Sequence, residues 1–459
     1  MRKKNIQEFD LVVLGGGSGG VRAARIAAMH GAKVALCEKD RMGGTCVIRG
    51  CIPKKILFYS AQYKSILGNA GAYGWKIKGI SKNYIQLIEN KNLELKRLES
   101  IYAKNSKKAG VKIFNNEAVL KTPNIINVGN KQLLAKKIII ATGGTPKNLD
   151  IEGKEYCINS DQVMELKKIP EHLSIIGSGY IAIEFAFIFA ALGSKVTLIC
   201  RKSLLRGFDD NLISLVKDSL VLNGVKIYFN EEVKKISLKK NIKKLILKSS
   251  NKTLYSNEVL VAIGRVANVK KLNLKNMGIK LTKQEAIKVD INLKTNLNNI
   301  FAIGDVTDRM NLTPVAIAEG QFLSDRLFGK LKLKRVSLKN IGTAVFSSPP
   351  ISSIGPNEKE ALKIYKNLDV YESKFTSLKY SIVNKKIPTY IKLLVNSNNK
   401  RIIAAHMFGE EAPEIIQVLA IAIQANATIN HFNDTMAIHP TVAEEFVTFK
   451  APSRKLKRV

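Results

Sequence analysis

The chain carries the same local pattern twice, and that repeat limits the folds open to it. Residues 10–15, Asp-Leu-Val-Val-Leu-Gly, form a short apolar run of the buried-strand kind. Gly15-x-Gly17-x-x-Gly20 follows, with Ser18 inside it, and opens a helical pattern to about His30. A second strand, Lys33 to Cys37, ends in Glu38. Glycines in such a turn let the backbone and the helix N-terminus approach a pyrophosphate, and the acid binds a ribose hydroxyl. The pattern returns at strand Leu173–Ile176, turn Gly177-x-Gly179-x-x-Ala182, a helix to Leu192 and strand Lys195–Ile199. There the acid is replaced by Arg201 and Lys202, with Arg206 close behind. A basic cluster at that place suits the 2′-phosphate of NADP, whereas an acid favours the 2′-hydroxyl of NAD. The plainer alternatives are a glycine turn in the first unit and a solvated basic loop in the second. Two units of this kind predict an α/β chain with two Rossmann-like folds, one dinucleotide held tightly and one exchanging.

Between the two lies Gly43-Gly44-Thr45-Cys46-Val-Ile-Arg-Gly-Cys51-Ile-Pro53-Lys54-Lys55. Two thiols five residues apart, in a loop running into a helix, can close a small disulfide ring. The thiol nearer the helix start is helped towards thiolate by the partial positive charge there. Beside a flavin such a pair is a redox relay; the bland alternative is two buried, unreactive cysteines. The other three cysteines, Cys37, Cys157 and Cys200, have no close neighbour in sequence and read as incidental thiols, so no disulfide framework is expected.

The lysines that give the chain its net charge of +37 are spread along all 459 residues. No arginine-rich helix, aromatic RNA-binding signature or zinc spacing accompanies them, so the charge reads as compositional bias with non-specific attraction at most. A nucleic-acid-binding flavoprotein remains the remote alternative. Met1–Phe9 is short and polar and reads as no signal peptide. The longest apolar stretch, Ile181–Leu192, contains Glu184 and is too short to cross a bilayer. A cytoplasmic chain without membrane or specific nucleic-acid partners is expected. The basic tail Ser453–Val459 is expected to be solvated.

The cysteine segment resembles the redox-active signature of the flavin-dependent pyridine nucleotide-disulfide oxidoreductases. Pro53-Lys54-Lys55 resembles the glutathione reductase branch more than the dihydrolipoamide dehydrogenases, which usually carry Pro-Ser-Lys. The likeness continues along nearly the whole chain: Ala141-Thr142-Gly143-Gly144, Ala262-Ile263-Gly264-Arg265, the run from Thr295 to Gly304-Asp305, and His439-Pro440-Thr441-Val-Ala-Glu444. It implies FAD on Gly15, Gly17, Ser18, Gly20, Glu38, Gly44, Thr45, Lys54, Thr142, Gly143, Gly304 and Asp305. It implies NADPH on Gly177, Gly179, Ile181, Glu184, Arg201, Lys202, Arg206, Gly264 and Arg265. Tyr180 resembles a lid over the nicotinamide, and Lys54 and Glu184 resemble an ion pair beside the flavin. The division implied is an FAD domain of residues 1–150 and 271–335, an NADPH domain of 151–270 and an α+β dimerisation domain of 336–459.

The resemblance implies NADPH-dependent reduction of oxidised glutathione to two thiols. Cys51 is then the flavin-side sulfur and Cys46 the thiolate that attacks substrate. His439, oriented by Glu444, is the acid and base, supplied by the other subunit of a homodimer. Ser18, Arg25, Ile101, Tyr102 and Asn105 resemble glutathione-contacting residues. Arg22 and Arg25 stand where trypanothione reductases show an acid and a tryptophan. Two departures are visible: Ile48-Arg49 replaces the common Asn-Val, and Gln321 stands where many glutathione reductases have a carboxylate-binding arginine. The alternatives left are a dihydrolipoamide dehydrogenase, against which Arg201 and Lys202 speak, and a reductase of another small disulfide.

Overall fold

The computed structural model describes residues 6–329 and 335–458. The first residues of the amino-terminal segment, the stretch just before the expected boundary at 335 and the last residue of the tail lie outside the described residues.

The first sheet is built from β1 (Ile6–Leu14), β2 (Val34–Cys37), β3 (Lys112–Phe114), β4 (Ala118–Leu120), β5 (Ile125–Val128) and β6 (Lys131–Ile140), in the order 3-2-1-6-5-4. β1, β2, β3 and β6 are parallel, while β4–β6 form an antiparallel meander. β1 is buried on both faces: Leu11 and Val13 enter one core cluster, Val12 and Leu14 another. That is why its sequence reads as a continuous apolar run rather than an alternating one. Helix α1 (Ser18–Met29) starts at the glycine turn, where Gly15 has φ +108° and an added Cβ would stand 2.3 Å from the Ala141 carbonyl oxygen. Only glycine relieves both constraints. Helices α2 (Cys51–Asn69) and α3 (Tyr84–Lys108) follow before β3.

β7 (Gly144–Pro146) leads out of this unit into a five-stranded parallel sheet. Its strands are β8 (Ile158–Asn159), β9 (His172–Ile176), β10 (Lys195–Cys200), β11 (Lys226–Phe229) and β15 (Glu258–Val261), ordered 11-10-9-15-8. An antiparallel meander of β12 (Val233–Lys239), β13 (Ile242–Leu247) and β14 (Thr253–Ser256) precedes β15. Helix α4 (Tyr180–Ala191) is apolar all round, and Ala182–Ala190 are all buried. The long apolar stretch is therefore a core helix, and no described helix is long and apolar enough to cross a membrane. Asp209 caps α5 (Asp210–Leu222) by accepting from the Asn211 N–H at 3.1 Å.

β16 (Arg265–Ala267) pairs antiparallel with β7, so the outgoing and returning chain run side by side. β17 (Ile300–Ala302) then adds to the first sheet, parallel to β6. Helix α6 (Thr313–Leu327) follows, against α1. The third sheet is wholly antiparallel, ordered β18 (Thr343–Val345), β19 (Ile351–Ile354), β22 (Ile402–Phe408), β21 (Pro388–Asn396), β20 (Asn367–Thr376), β23 (Arg454–Lys457). The helix Ala412–Gln424 packs against β19 and β22.

The tail corrects the sequence reading. Rather than being merely solvated, it forms edge strand β23 against β20. Leu456 packs against the cluster of Leu368 and Val370, while Arg454 bonds Glu358 and Glu372. A run of Arg-Lys-Leu-Lys has little strand propensity; pairing with an existing edge and carboxylates on its neighbours supply what propensity lacks.

Candidate active site

Each glycine turn places its unit's functional side chains at the carboxyl ends of the parallel strands, where open α/β sheets hold ligands. In the first unit, the turn and the loops after β2, β6 and β17 enclose one cavity of about 830 Å³. Gly15, Gly17, Ser18, Glu38, Gly44, Thr45, Thr142, Gly143, Gly304 and Asp305 line it. So do Cys46, Cys51, Lys54, Tyr180, Ile181, Glu184 and Arg265. A recess of about 70 Å³ continues past Gly15, Glu38 and Thr142. Gly20 is not in the lining; it is buried at the start of α1. Glu38 folds back on the turn, one oxygen accepting from Gly16 N at 2.7 Å and the other from Asp40 N at 2.9 Å. Two buried polar atoms of the cavity, Ser18 Oγ and Arg265 Nε, have no partner among the described residues. Arg265 otherwise grips Gly144 O at 2.6 Å and Thr45 Oγ1 at 3.3 Å, tying the β7–β16 pair to the cysteine loop.

The cysteine pair is a local construction. Thr45–Arg49 form one turn of π-helix, and Cys51 is the first residue of α2. A π turn brings residues five apart onto one face, and the two thiols, both free, line the same cavity. Cys51 is held down to about 6, first by the hydrogen bond from Cys46, then against its burial by Thr313 and the Lys54 charge. Cys46 is pushed up by the neighbouring Cys51 thiol and by burial. Thr313, whose Oγ1 is 3.7 Å from Cys51 Sγ at the start of α6, was not singled out in the sequence. Its only signal is a Thr-Pro pair opening a helix.

Lys54 Nζ donates to Glu184 Oε1 at 2.8 Å, and the two residues are 9% and 3% exposed. Phe346 completes the pair: its N–H donates to the same oxygen at 2.9 Å, and its ring lies 4.0 Å from Lys54 Nζ. Nothing local marks Phe346, which arrives from β18 of another sheet region. Glu319 was missed for the same reason. It accepts from Gly304 N at 2.8 Å and pairs with Arg309, so it fixes the Gly304-Asp305 turn. Tyr180, first residue of α4, is 47% exposed on the cavity.

The basic loop sits beside the second turn. Leu205 N donates to Ser178 O at 2.8 Å, and Leu204 and Leu205 are buried. Arg201, Lys202 and Arg206 therefore stand exposed on a loop pinned to the Gly177–Gly179 turn, Arg201 3.7 Å from Glu232. Gly264 lies outside the cavity lining, between β15 and β16. Of the expected substrate residues, Ser18, Arg25 and Tyr102 gather near Cys46: Tyr102 lies within charge reach of Cys46 and Arg25. Ile101 and Asn105 are exposed on α3. His439 Nδ1 is 3.0 Å from Glu444 Oε2, but His439 is exposed and absent from the cavity lining, so this chain does not bring it to its own cysteines.

Residues 9–320 match the pyridine nucleotide-disulphide oxidoreductase family and 341–449 its dimerisation domain, and the chain belongs to that family. Its architecture is thus two dinucleotide-binding folds with a C-terminal dimerisation domain. Among its relatives, glutathione reductase of Burkholderia cepacia is 41% identical over 444 residues, 96% of this chain and 98% of that one. Glutathione reductase of Nostoc sp. is 38% identical over 96% of this chain and 99% of its own. Trypanothione reductase of Trypanosoma congolense is 37% identical, with 97% and 96% covered.

Proposed function

We propose that the protein is a glutathione-disulfide reductase: NADPH, a proton and oxidised glutathione give NADP and two glutathione thiols. The observation that carries this is the Cys46–Cys51 thiol pair in one cavity with a dinucleotide turn and the Lys54–Glu184 ion pair. Near-full-length likeness to glutathione reductases supports the substrate.

The first cavity fits FAD. Ser18 Oγ at the α1 N-terminus suits a phosphate oxygen, Glu38 a ribose hydroxyl, and Asp305 with Gly304 the ribityl chain, with Gly15, Gly17, Gly44, Thr45, Thr142 and Gly143 forming the cradle and Gly20 letting the turn close, since a Cβ there would stand 2.0 Å from Gly15 O. When bound, the flavin supplies the two-electron step between a nicotinamide hydride and a disulfide. NADPH is held by Gly177, Gly179, Arg201, Lys202 and Arg206, with Ile181, Gly264 and Arg265 shaping its approach and Tyr180 covering the nicotinamide side. Lys54 and Glu184 would keep a fixed charge pair beside the flavin when it is bound.

Cys51 would be the sulfur that exchanges electrons with bound flavin, and Cys46 the one that meets the substrate. Cys46 gives its proton to His439 of the partner subunit and attacks one sulfur of glutathione disulfide. The leaving thiolate takes the proton back from that imidazole, which Glu444 holds in orientation. Cys51 then attacks Cys46, closing their disulfide and releasing the second glutathione. Ser18, Arg25, Ile101, Tyr102 and Asn105 hold the peptide. The reading requires a homodimer with domains at 1–150 with 271–335, 151–270 and 336–459, and we assign it to the cytoplasm.

Oxidation of NADPH with glutathione disulfide, run beside NADH with lipoamide, tests this. Fast turnover with the first pair alone is expected. Turnover only with NADH and lipoamide would overturn both the cofactor and the substrate.

A further inference from the structure

The basic loop between β10 and α5 is braced from outside its own unit. Leu205 has φ +45° and Gly207 φ +95°, a left-handed course that a leucine holds only where its surroundings impose it. On one side, Leu205 N donates to Ser178 O of the second glycine turn at 2.8 Å. On the other, Asn357 Nδ2 donates to Gly207 O at 3.2 Å. Asn357 lies between β19 and the helix Glu358–Ile364, so this donor is delivered by the C-terminal part of the chain. The orientation of its amide is fixed, because Oδ1 caps that helix by accepting from Glu360 N at 2.9 Å. Two residues beyond Gly207, buried Asp209 ends the loop against Lys392 Nζ of β21, at 3.0 and 2.9 Å. Lys359 adds an ion pair to Asp210 at 2.8 Å. Arg206 thus stands between two residues whose backbone is tied, Leu205 to the glycine turn and Gly207 to Asn357. It is exposed, and no ion pair among the described residues includes it, whereas Arg201 lies 3.7 Å from Glu232. A guanidinium free of carboxylates, on backbone held at both sides, is preorganised for a phosphate. The loop's freedom is given up on folding and not on binding.

We propose that Asn357 is a positioning residue for coenzyme selectivity: by holding Gly207 it fixes Arg206 for the 2′-phosphate of NADPH. The C-terminal sheet, with Lys392 securing the end of the loop, thereby takes part in the choice of coenzyme. This inference rests on the reading of the basic loop as the 2′-phosphate site and deepens it.

The test uses the FAD-loaded full-length protein and two probes, adenosine 2′,5′-bisphosphate and adenosine 5′-phosphate, titrated by calorimetry. Asn357→Ser keeps a helix-capping oxygen, adds no charge and is too short to reach Gly207. It should raise Kd for the bisphosphate about three- to tenfold, the scale of one neutral hydrogen bond, and leave the monophosphate unchanged. KM for NADPH should rise by the same factor, with kcat and the KM for glutathione disulfide at wild-type values. In an Arg206→Ala background the same substitution should have no further effect on the bisphosphate, which a merely structural role for Asn357 does not predict. A change below about threefold in the ratio of the two Kd values, or an equal change with and without Arg206, overturns the inference alone. A wild type that binds both probes equally, or whose Arg206→Ala variant keeps the wild-type ratio, overturns the reading of the basic loop, and this inference with it.

Discussion

At the cysteine pair a single hydrogen bond separates two chemically identical side chains into an acid and a base. Cys51 is held down to about 6 chiefly by the Cys46 thiol, with Thr313 and Lys54 adding to it and burial opposing. The thiolate is therefore present above about pH 6 and lost below it. Ultraviolet titration of the dithiol protein should show one thiolate with a midpoint near 6. Cys46→Ala should move that midpoint upward further than Thr313→Val does, and a wild-type midpoint at the ordinary value of 9 would refute the assignment. The pair was legible in sequence because its geometry is local: five residues, one turn of π-helix, one helix start. Thr313 and Phe346 were not legible, because each is delivered by an element far along the chain, and nothing in their own neighbourhoods records the destination.

Elements of the last sheet are joined to the second unit by a buried charge network that no local pattern announces. Lys392 on β21 is fully buried and bonds both oxygens of Asp209, at 3.0 and 2.9 Å, and also Glu358. Glu358, which opens the helix Glu358–Ile364, also takes Arg454 from β23, and Glu372 of β20 takes the same arginine. Burial would raise the Glu358 carboxyl, but Arg454 and Lys392 outweigh it and hold it down to about 2 from its ordinary 4.5. A depressed carboxylate contributes stability in full above 4.5 and loses it as pH falls towards 2. Glu358→Gln should therefore lower the melting temperature at pH 7 and flatten its dependence between pH 4.5 and 2. The contribution removed is about 1–2 kcal/mol once solvent screening is allowed for. Scanning calorimetry across that range checks it, and identical slopes for both proteins would sink the account. The same network explains why the tail was misread. Its strand is stabilised by carboxylates on distant elements, whereas the helices and strands of the glycine-turn units carry their own apolar periodicity and were placed within a few residues.

For the whole molecule, the chain separates His439 from the cysteines that the proposed chemistry joins it to. That separation was legible only through the likeness of His439-Pro440-Thr441 and Glu444 to a dimerisation signature; spacing alone could not relate them to Cys46. It predicts complementation. Cys46→Ser and His439→Ala proteins should each be nearly inactive, and co-expressed mixed dimers should regain activity at one of their two sites. Mixed dimers that are purified, verified by mass and still inactive would place the histidine elsewhere. A different consequence follows from β17. It completes the first sheet beside β6, and 162 residues separate the paired Ile138 and Ile300 (300 − 138). A ribosome adding roughly 5–20 residues per second needs on the order of ten to thirty seconds to cross that gap. Throughout that time the nascent chain carries β6 with its Ile138–Ile140 edge bare, the template that aggregation exploits, and the cavity lacks its Gly304-Asp305 wall. Synthesis itself sets a window in which the second unit can already fold while the first must wait for its final strand.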